Sequence, residues 1–220
     1  MEFILVFLAI ILAAFMGWLL KQSFNTQPWV AEAVDESAHK APLGANAKAV
    51  ALTALLAVIT SFFALIMSAY AERMELGDWV PLNEPLMLWI NTGVLVVASV
   101  AFQWTRNAAV DGVRSRVLPG MLISGILTMA FVIGQLLVWR SLTASGNGVT
   151  ANPANAFFYF MTGAHALHIL GGLYVWARAL VRLFTGREPA AVRQSIELCT
   201  VYWHFLLVVW LMMFGLLLST

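Results

Sequence analysis

Six long apolar runs constrain this chain more than any other feature. They cover approximately residues 3–20, 49–71, 86–104, 117–139, 154–177 and 197–219. Each is close to the roughly 20 residues that a helix, rising 1.5 Å per residue, needs to cross the hydrocarbon of a bilayer. There, every backbone N–H and C=O must find its partner within the protein, which leaves helices and closed barrels. The runs are too long and too evenly apolar for the roughly ten-residue alternating strands of a barrel. The expected fold is therefore an all-α integral membrane protein, a six-helix transmembrane bundle. Charged residues make up 10% of the 220, against about 25% in soluble domains. No gap between runs is large enough for a soluble domain. The first run lacks a basic lead and a clean small-residue cleavage site, so it is expected to be a helix and not a signal peptide.

The basic residues orient the bundle. Lys21, Lys40 and Lys48 follow span one; Arg106, Arg114 and Arg116 follow span three; Arg178, Arg182, Arg187 and Arg193 follow span five. The alternate loops hold Arg73 and Arg140, so ten of the twelve basic residues share one side. By the positive-inside rule that side is cytoplasmic, and both termini lie on the outer, periplasmic side of a bacterial inner membrane. Segment 21–48, with Pro28, Pro42 and Gly44, reads as a cytoplasmic connector. A net charge of +1 without a basic run excludes a nucleic-acid partner. The single cysteine, Cys199, excludes an internal disulfide. Trp18, Trp79, Trp89, Trp104, Trp139 and Trp176 fall near span ends, where indoles anchor helices at the interface.

Polar groups inside the spans are costly and mark internal contacts or function. The ionisable ones are few: His165 and His168 in span five, and Glu197 and His204 in span six. Spans five and six are antiparallel neighbours, which places His168 and His204 at similar depth with Glu197 below them. A seam of His168 and His204, with room for Glu197 at its lower end, is geometrically allowed, and three readings of it stand side by side. They are interhelical hydrogen bonds, a bis-imidazole haem b site using His165 or His168 with His204, and a proton path. The path is the weakest, because spans two to five carry no interior Asp or Glu. Thr162 shares a face with Tyr159 and His165, and Gln135, deep in span four, is expected to donate to a facing helix. Gly120, Ser124 and Thr128 repeat at four-residue spacing, and Gly163 and Gly171–Gly172 flank the histidines, so helices are expected to approach closely at both places. Arg106, Arg114, Arg116 and Arg182, with Trp203, are candidate contacts for lipid head groups.

Two late motifs carry a family resemblance. "TGAHALHILGG" supplies Thr162, Gly163, His165 and His168; "ELCTVYWHFLLVVWL" supplies Glu197, Tyr202, Trp203, His204, Phe205, Val208, Val209 and Trp210. Pro85, Asn91 and Thr92 add a Pro-x-x-x-Asn-Thr-like stretch, and Gln135 falls where a glutamine is common. Over a core region of 49–219 the chain resembles subunit III of the haem–copper oxidases, the cytochrome c and quinol terminal oxidases. It departs from that pattern in lacking a span-two carboxylate ("LLAVITSFFAL") and in having Val201 for a Trp and Leu207 for an Asp. Span one aligns with the second helix of seven-helix members.

The resemblance implies a non-catalytic subunit with no active site, cofactor or metal of its own. Haem and copper would sit in partner subunits I and II, with this chain packed on subunit I and holding structural phospholipids. Electrons would reach the complex from cytochrome c or quinol, and O₂ would be reduced to water. On this reading His165, His168, Glu197, His204, Thr162, Gln135 and Asn91 form a structural polar network. The alternatives are a membrane haem b electron carrier and an accessory protein of a nitric oxide reductase.

Overall fold

The computed structural model describes residues 47–81, 86–186 and 189–219. Span one lies outside the described residues, as does the connector except for its last two positions. The chain divides into two compact units, Met1–Ala51 and Leu52–Thr220. Five α-helices are described: α1 (Ala47–Met74), α2 (Leu86–Val110), α3 (Arg114–Ala144), α4 (Pro153–Phe184) and α5 (Pro189–Leu218). All five are long and apolar enough to cross a membrane. They correspond to spans two to six, so a sixth transmembrane helix is not part of the described fold.

The helices outrun the apolar stretches at most ends. A helix stops where capping chemistry stops it, not where hydrocarbon ends. Asn152 caps α4, its side chain accepting from Asn155 N–H at 3.0 Å, and Pro153 occupies the first turn, where its missing N–H costs nothing. Gly112, between α2 and α3, and Gly186, after α4, take φ of 71° and 84°, the left-handed region that glycine enters without strain. Arg114 Nη2 donates to the Leu183 carbonyl at 3.2 Å, satisfying one of the open carbonyls at the C-terminal end of α4.

Within Leu52–Thr220, α2 packs on α3 and α5, and α4 packs on α5 and α3. One core runs through these helices and includes Leu95, Phe102, Phe131, Phe158, Ile169, Trp203 and Trp210. A second cluster around Val117, Met121, Ala179, Leu183 and Ile196 closes the end where the loops of Gly112 and Gly186 lie. The helix α1 joins α4 through bulky rings, Tyr70 on Phe157 (5.6 Å between centroids) and Phe63 on His168 (5.5 Å).

After α1, Arg73 Nη1 meets Asp78 Oδ1 at 2.6 Å in a two-pronged pair. The Arg73 hydrogen bond holds the Asp78 carboxyl below the usual carboxylate range. Any stability from this pair is therefore present at neutral pH and lost as pH falls through the depressed value. The pair is solvent-exposed, and such pairs contribute little. Asp78→Asn is expected to leave thermal stability unchanged at neutral pH; a clear drop in melting temperature would contradict this.

Candidate functional site

Three indoles repeat one arrangement. Trp210 Nε1 donates to Thr92 Oγ1 at 2.9 Å, Trp203 to Thr128 at 3.0 Å, and Trp139 to Thr162 at 3.1 Å. Each threonine passes its own proton to the carbonyl four residues earlier: Leu88 (2.8 Å), Ser124 (2.9 Å) and Phe158 (2.7 Å). The chemistry explains the pairing. An indole is a donor only, and a hydroxyl that has given its proton to the backbone still has a lone pair to accept with. The ties join α5 to α2, α5 to α3, and α3 to α4. Trp176 Nε1 adds a bond from α4 to the Met121 carbonyl of α3 at 3.0 Å, and Tyr202 Oη one from α5 to the His168 carbonyl of α4 at 3.0 Å.

Glycines make room for these side chains. A Cβ on Gly125 would lie 2.0 Å from the Trp176 ring, one on Gly134 2.0 Å from Asn91 Oδ1, and one on Gly172 2.8 Å from Trp203 and Tyr202. Of the glycines expected to admit a neighbouring backbone, Gly120 does pack closely, against Thr105. Gly163 meets a ring only at 3.7 Å, and Gly171 faces open space.

The polar residues singled out from the sequence divide into separate sites. The seam of His168, His204 and Glu197 that the sequence allows does not form. His204 turns to α2, its Nδ1 bonded to Ser99 Oγ and its Nε2 3.0 Å from Gln103 Oε1. His168 Nδ1 bonds its own helix at the Ala164 carbonyl, 2.7 Å away, and its ring lies against Phe62 and Phe63 of α1. Glu197 accepts from Arg193, one turn earlier, at 2.9 Å. A histidine on one of two adjacent helices thus need not face the other, because 3.6 residues per turn set direction as firmly as rise sets depth. His204 and His168 are each bonded elsewhere, His204 to α2 and His168 to its own helix.

Asn91 and Gln135 do come together. Asn91 Nδ2 lies 3.4 Å from both Gln135 Oε1 and the Phe131 carbonyl, so the Gln135 oxygen accepts across α2 and α3, where a donor was expected. His165 is fully buried among Phe63, Phe131 and Trp210, and neither ring nitrogen has a hydrogen-bond partner among the described residues. Replacing a buried, unpaired polar group by an apolar one of similar shape removes a desolvation cost. His165→Phe is therefore expected to be neutral or to stabilise by up to about 1 kcal/mol. A loss of melting temperature in the purified variant would show that His165 has a partner.

Among the candidate lipid contacts, Trp203 is corrected: it is 1% exposed and serves as a packing residue of the core. Arg114 is engaged with α4 carbonyls, Arg116 is exposed, and Arg106 and Arg182 are half-buried. Of the indoles read as interfacial anchors, Trp89 and Trp104 are exposed, while Trp139 and Trp176 donate to neighbouring helices. The Trp–Thr ties were legible in part. Trp203 and Trp210 lie seven residues apart on one helix face and well inside span six, where an interfacial anchor has no place.

A family model described as "Cytochrome c oxidase subunit III" matches residues 4–218. The "Probable cytochrome c oxidase subunit 3" of Mycobacterium bovis is 31% identical over 166 residues, covering 74% of this chain and 81% of that protein. That of Nocardia farcinica is 29% identical over 160 residues, 70% of this chain and 78% of the relative. The "Cytochrome c oxidase subunit 3" of Yarrowia lipolytica is 28% identical over 162 residues, 71% of this chain and 59% of the relative. The matched span takes in all five described helices and both late histidine motifs, and the chain belongs to the cytochrome c oxidase subunit III family.

Proposed function

We propose that this chain serves as a non-catalytic transmembrane scaffold in a haem–copper terminal oxidase of the bacterial inner membrane. It packs on the catalytic subunit I, alongside subunit II, and stabilises it while the complex reduces O₂ to water. Haem and copper belong to the partner subunits. Phospholipids bind at its surface, with Arg106, Arg116 and Arg182 toward the head groups, and its support of proton uptake is indirect. Six spans place both termini outside, and the three basic loops face the cytoplasm.

One observation carries this reading: many of the polar groups inside the helices hold helices together, although His165 has no hydrogen-bond partner among the described residues and His168 bonds its own helix. Indoles, threonines, Asn91, Gln135 and His204 tie α2 to α5 into one body. Groups so engaged suit a rigid support more than a cycle of ligation or proton exchange.

The test is purification through a tag on this chain in mild detergent, with mass spectrometry and a visible spectrum of the eluate. Co-elution of a haem- and copper-bearing subunit, with O₂ uptake, is expected. A chain eluting alone with stoichiometric haem of its own would overturn the proposal in favour of an electron carrier. Co-elution with a nitric oxide reductase would move it to a different complex.

A further inference from the structure

A groove of about 400 Å³ opens between α2 and α5, with Asn107 at the end nearest the basic loops. The polar side chains inside it satisfy one another. Ser99 Oγ bonds to His204 Nδ1, His204 Nε2 lies 3.0 Å from Gln103 Oε1, and Gln103 Nε2 donates to Asn107 Oδ1 at 3.1 Å. What the walls then offer a neighbour is mainly apolar: Val96 and Val100 of α2 are exposed, with Leu207 of α5 opposite.

At the Asn107 end the balance reverses. Both amide oxygens there already accept, whereas the Asn107 Nδ2 amide, the exposed Trp104 indole and the Arg106 guanidinium donate to no group among the described residues. Charge is set at two levels. Arg106 lies three residues after Gln103, one turn along the same side of α2. Asp111 lies one turn beyond Asn107, in a continuous helical turn whose Asp111 N–H bonds the Asn107 carbonyl at 3.0 Å. Asp111 is exposed and makes no ion pair among the described residues. Glu197, on the His204 face of α5, is already paired with Arg193.

The depths match one leaflet. Trp104 closes the apolar run of α2. Counted from it at about 1.5 Å per residue, Val100 lies about 6 Å and Val96 about 12 Å inside a hydrocarbon half-layer of about 15 Å. Arg106 and Asn107 lie about 3 and 5 Å outside it, at head-group level, and Asp111 further out still. An apolar trough thus leads inward from a mouth of hydrogen-bond donors, with a carboxylate beyond them.

We propose that the groove between α2 and α5 binds one phospholipid of the cytoplasmic leaflet whose head group carries a primary ammonium, a phosphatidylethanolamine. An acyl chain lies along Val96, Val100 and Leu207, the phosphate accepts from Arg106 and Asn107, and the ammonium donates to Asp111. This rests on the lipid contact assigned to Arg106 above, and adds a place and a head-group chemistry. A glycerol head group has no cation for Asp111, and a choline head group has no N–H to donate.

For the test, the complex is purified through a tag on this chain and exchanged into nanodiscs of equal parts phosphatidylethanolamine, phosphatidylcholine and phosphatidylglycerol. Native mass spectrometry counts the lipids it retains. Val100→Trp fills the acyl path from an exposed position and is expected to lose one phosphatidylethanolamine per copy of this chain; Leu167→Trp, at an exposed position of α4, is expected to lose none. Asp111→Asn is expected to lower the ratio of retained phosphatidylethanolamine to phosphatidylglycerol by about fivefold, the effect of one interfacial charge pair, and Asp111→Lys to invert the preference. Wild-type lipid retention by Val100→Trp, the result if protein covers the groove, would overturn the proposal. So would equal loss from Val100→Trp and Leu167→Trp, or a head-group ratio that neither Asp111 variant moves. Arg106→Gln separates the two claims. Lipid loss in that variant, beside Asp111 variants that match wild type, would refute the head-group choice and leave the lipid contact of Arg106 standing.

Discussion

Trp203→Ala is expected to lower the stability of the folded chain by about 3 kcal/mol, the low end of the range for deleting a buried tryptophan. The indole is 1% exposed, lies 4.3 Å from the Phe102 ring between centroids, and donates to Thr128. Removing it opens a cavity where α2, α3, α4 and α5 converge. The low end applies because a side chain between membrane helices exchanges protein contacts for lipid, not for water, so the transfer part of the cost is small. What is lost is packing and one tie. Trp203→Phe separates the two: it keeps most of the ring contact, loses the N–H, and is expected to cost about 1 kcal/mol. Thermal unfolding of the detergent-solubilised complex reads both variants. An alanine variant as stable as the phenylalanine variant would show that packing at this position contributes little.

Gly125→Ala is expected to cost a similar amount, about 3 kcal/mol, by overpacking and the loss of one hydrogen bond. The Trp176 ring lies directly over Gly125, with Cζ2, Cη2 and Cε2 at 2.0, 2.5 and 2.7 Å from the position a Cβ would take. Its Nε1 is anchored to the Met121 carbonyl, one turn earlier on the same face of α3. The ring is rigid and held at one end, so a methyl group cannot be admitted by a small rotation. Either the indole leaves its acceptor or α3 and α4 separate. Gly171→Ala is the control, since nothing lies within 4 Å of its added Cβ. It is expected to be neutral or slightly stabilising, as alanine is the better helix former. Equal destabilisation of both variants, measured by thermal unfolding, would remove the steric argument.

These two residues show how legibility is distributed. Five spans could be read because hydrocarbon imposes a length and a composition on every stretch that crosses it. The helices extend past the predicted ends because capping, carried by Asn152, Pro153, Gly112 and Gly186, is separate chemistry. The depth of Trp203 in span six argues for the interior and against the lipid contact expected from the sequence, and its threonine partner lies 75 residues away on another helix. The role of Gly125 was not readable, because a glycine in an apolar run has no local signature of the ring that will cover it.

The histidines mark the same boundary from the other side. Rise per residue puts His168 and His204 at matching depth, but equal depth does not make a contact. Rotation about the helix axes decided otherwise, giving His204 to Ser99 and Gln103 and leaving His165 among rings. The sequence by itself determined that the chain is a set of long membrane-crossing helices of one family, because burial in hydrocarbon and a pair of specific motifs act residue by residue. Only the tertiary structure decided which polar groups meet, because a partner is chosen by helix rotation and crossing. Those are set by how all the side chains pack at once.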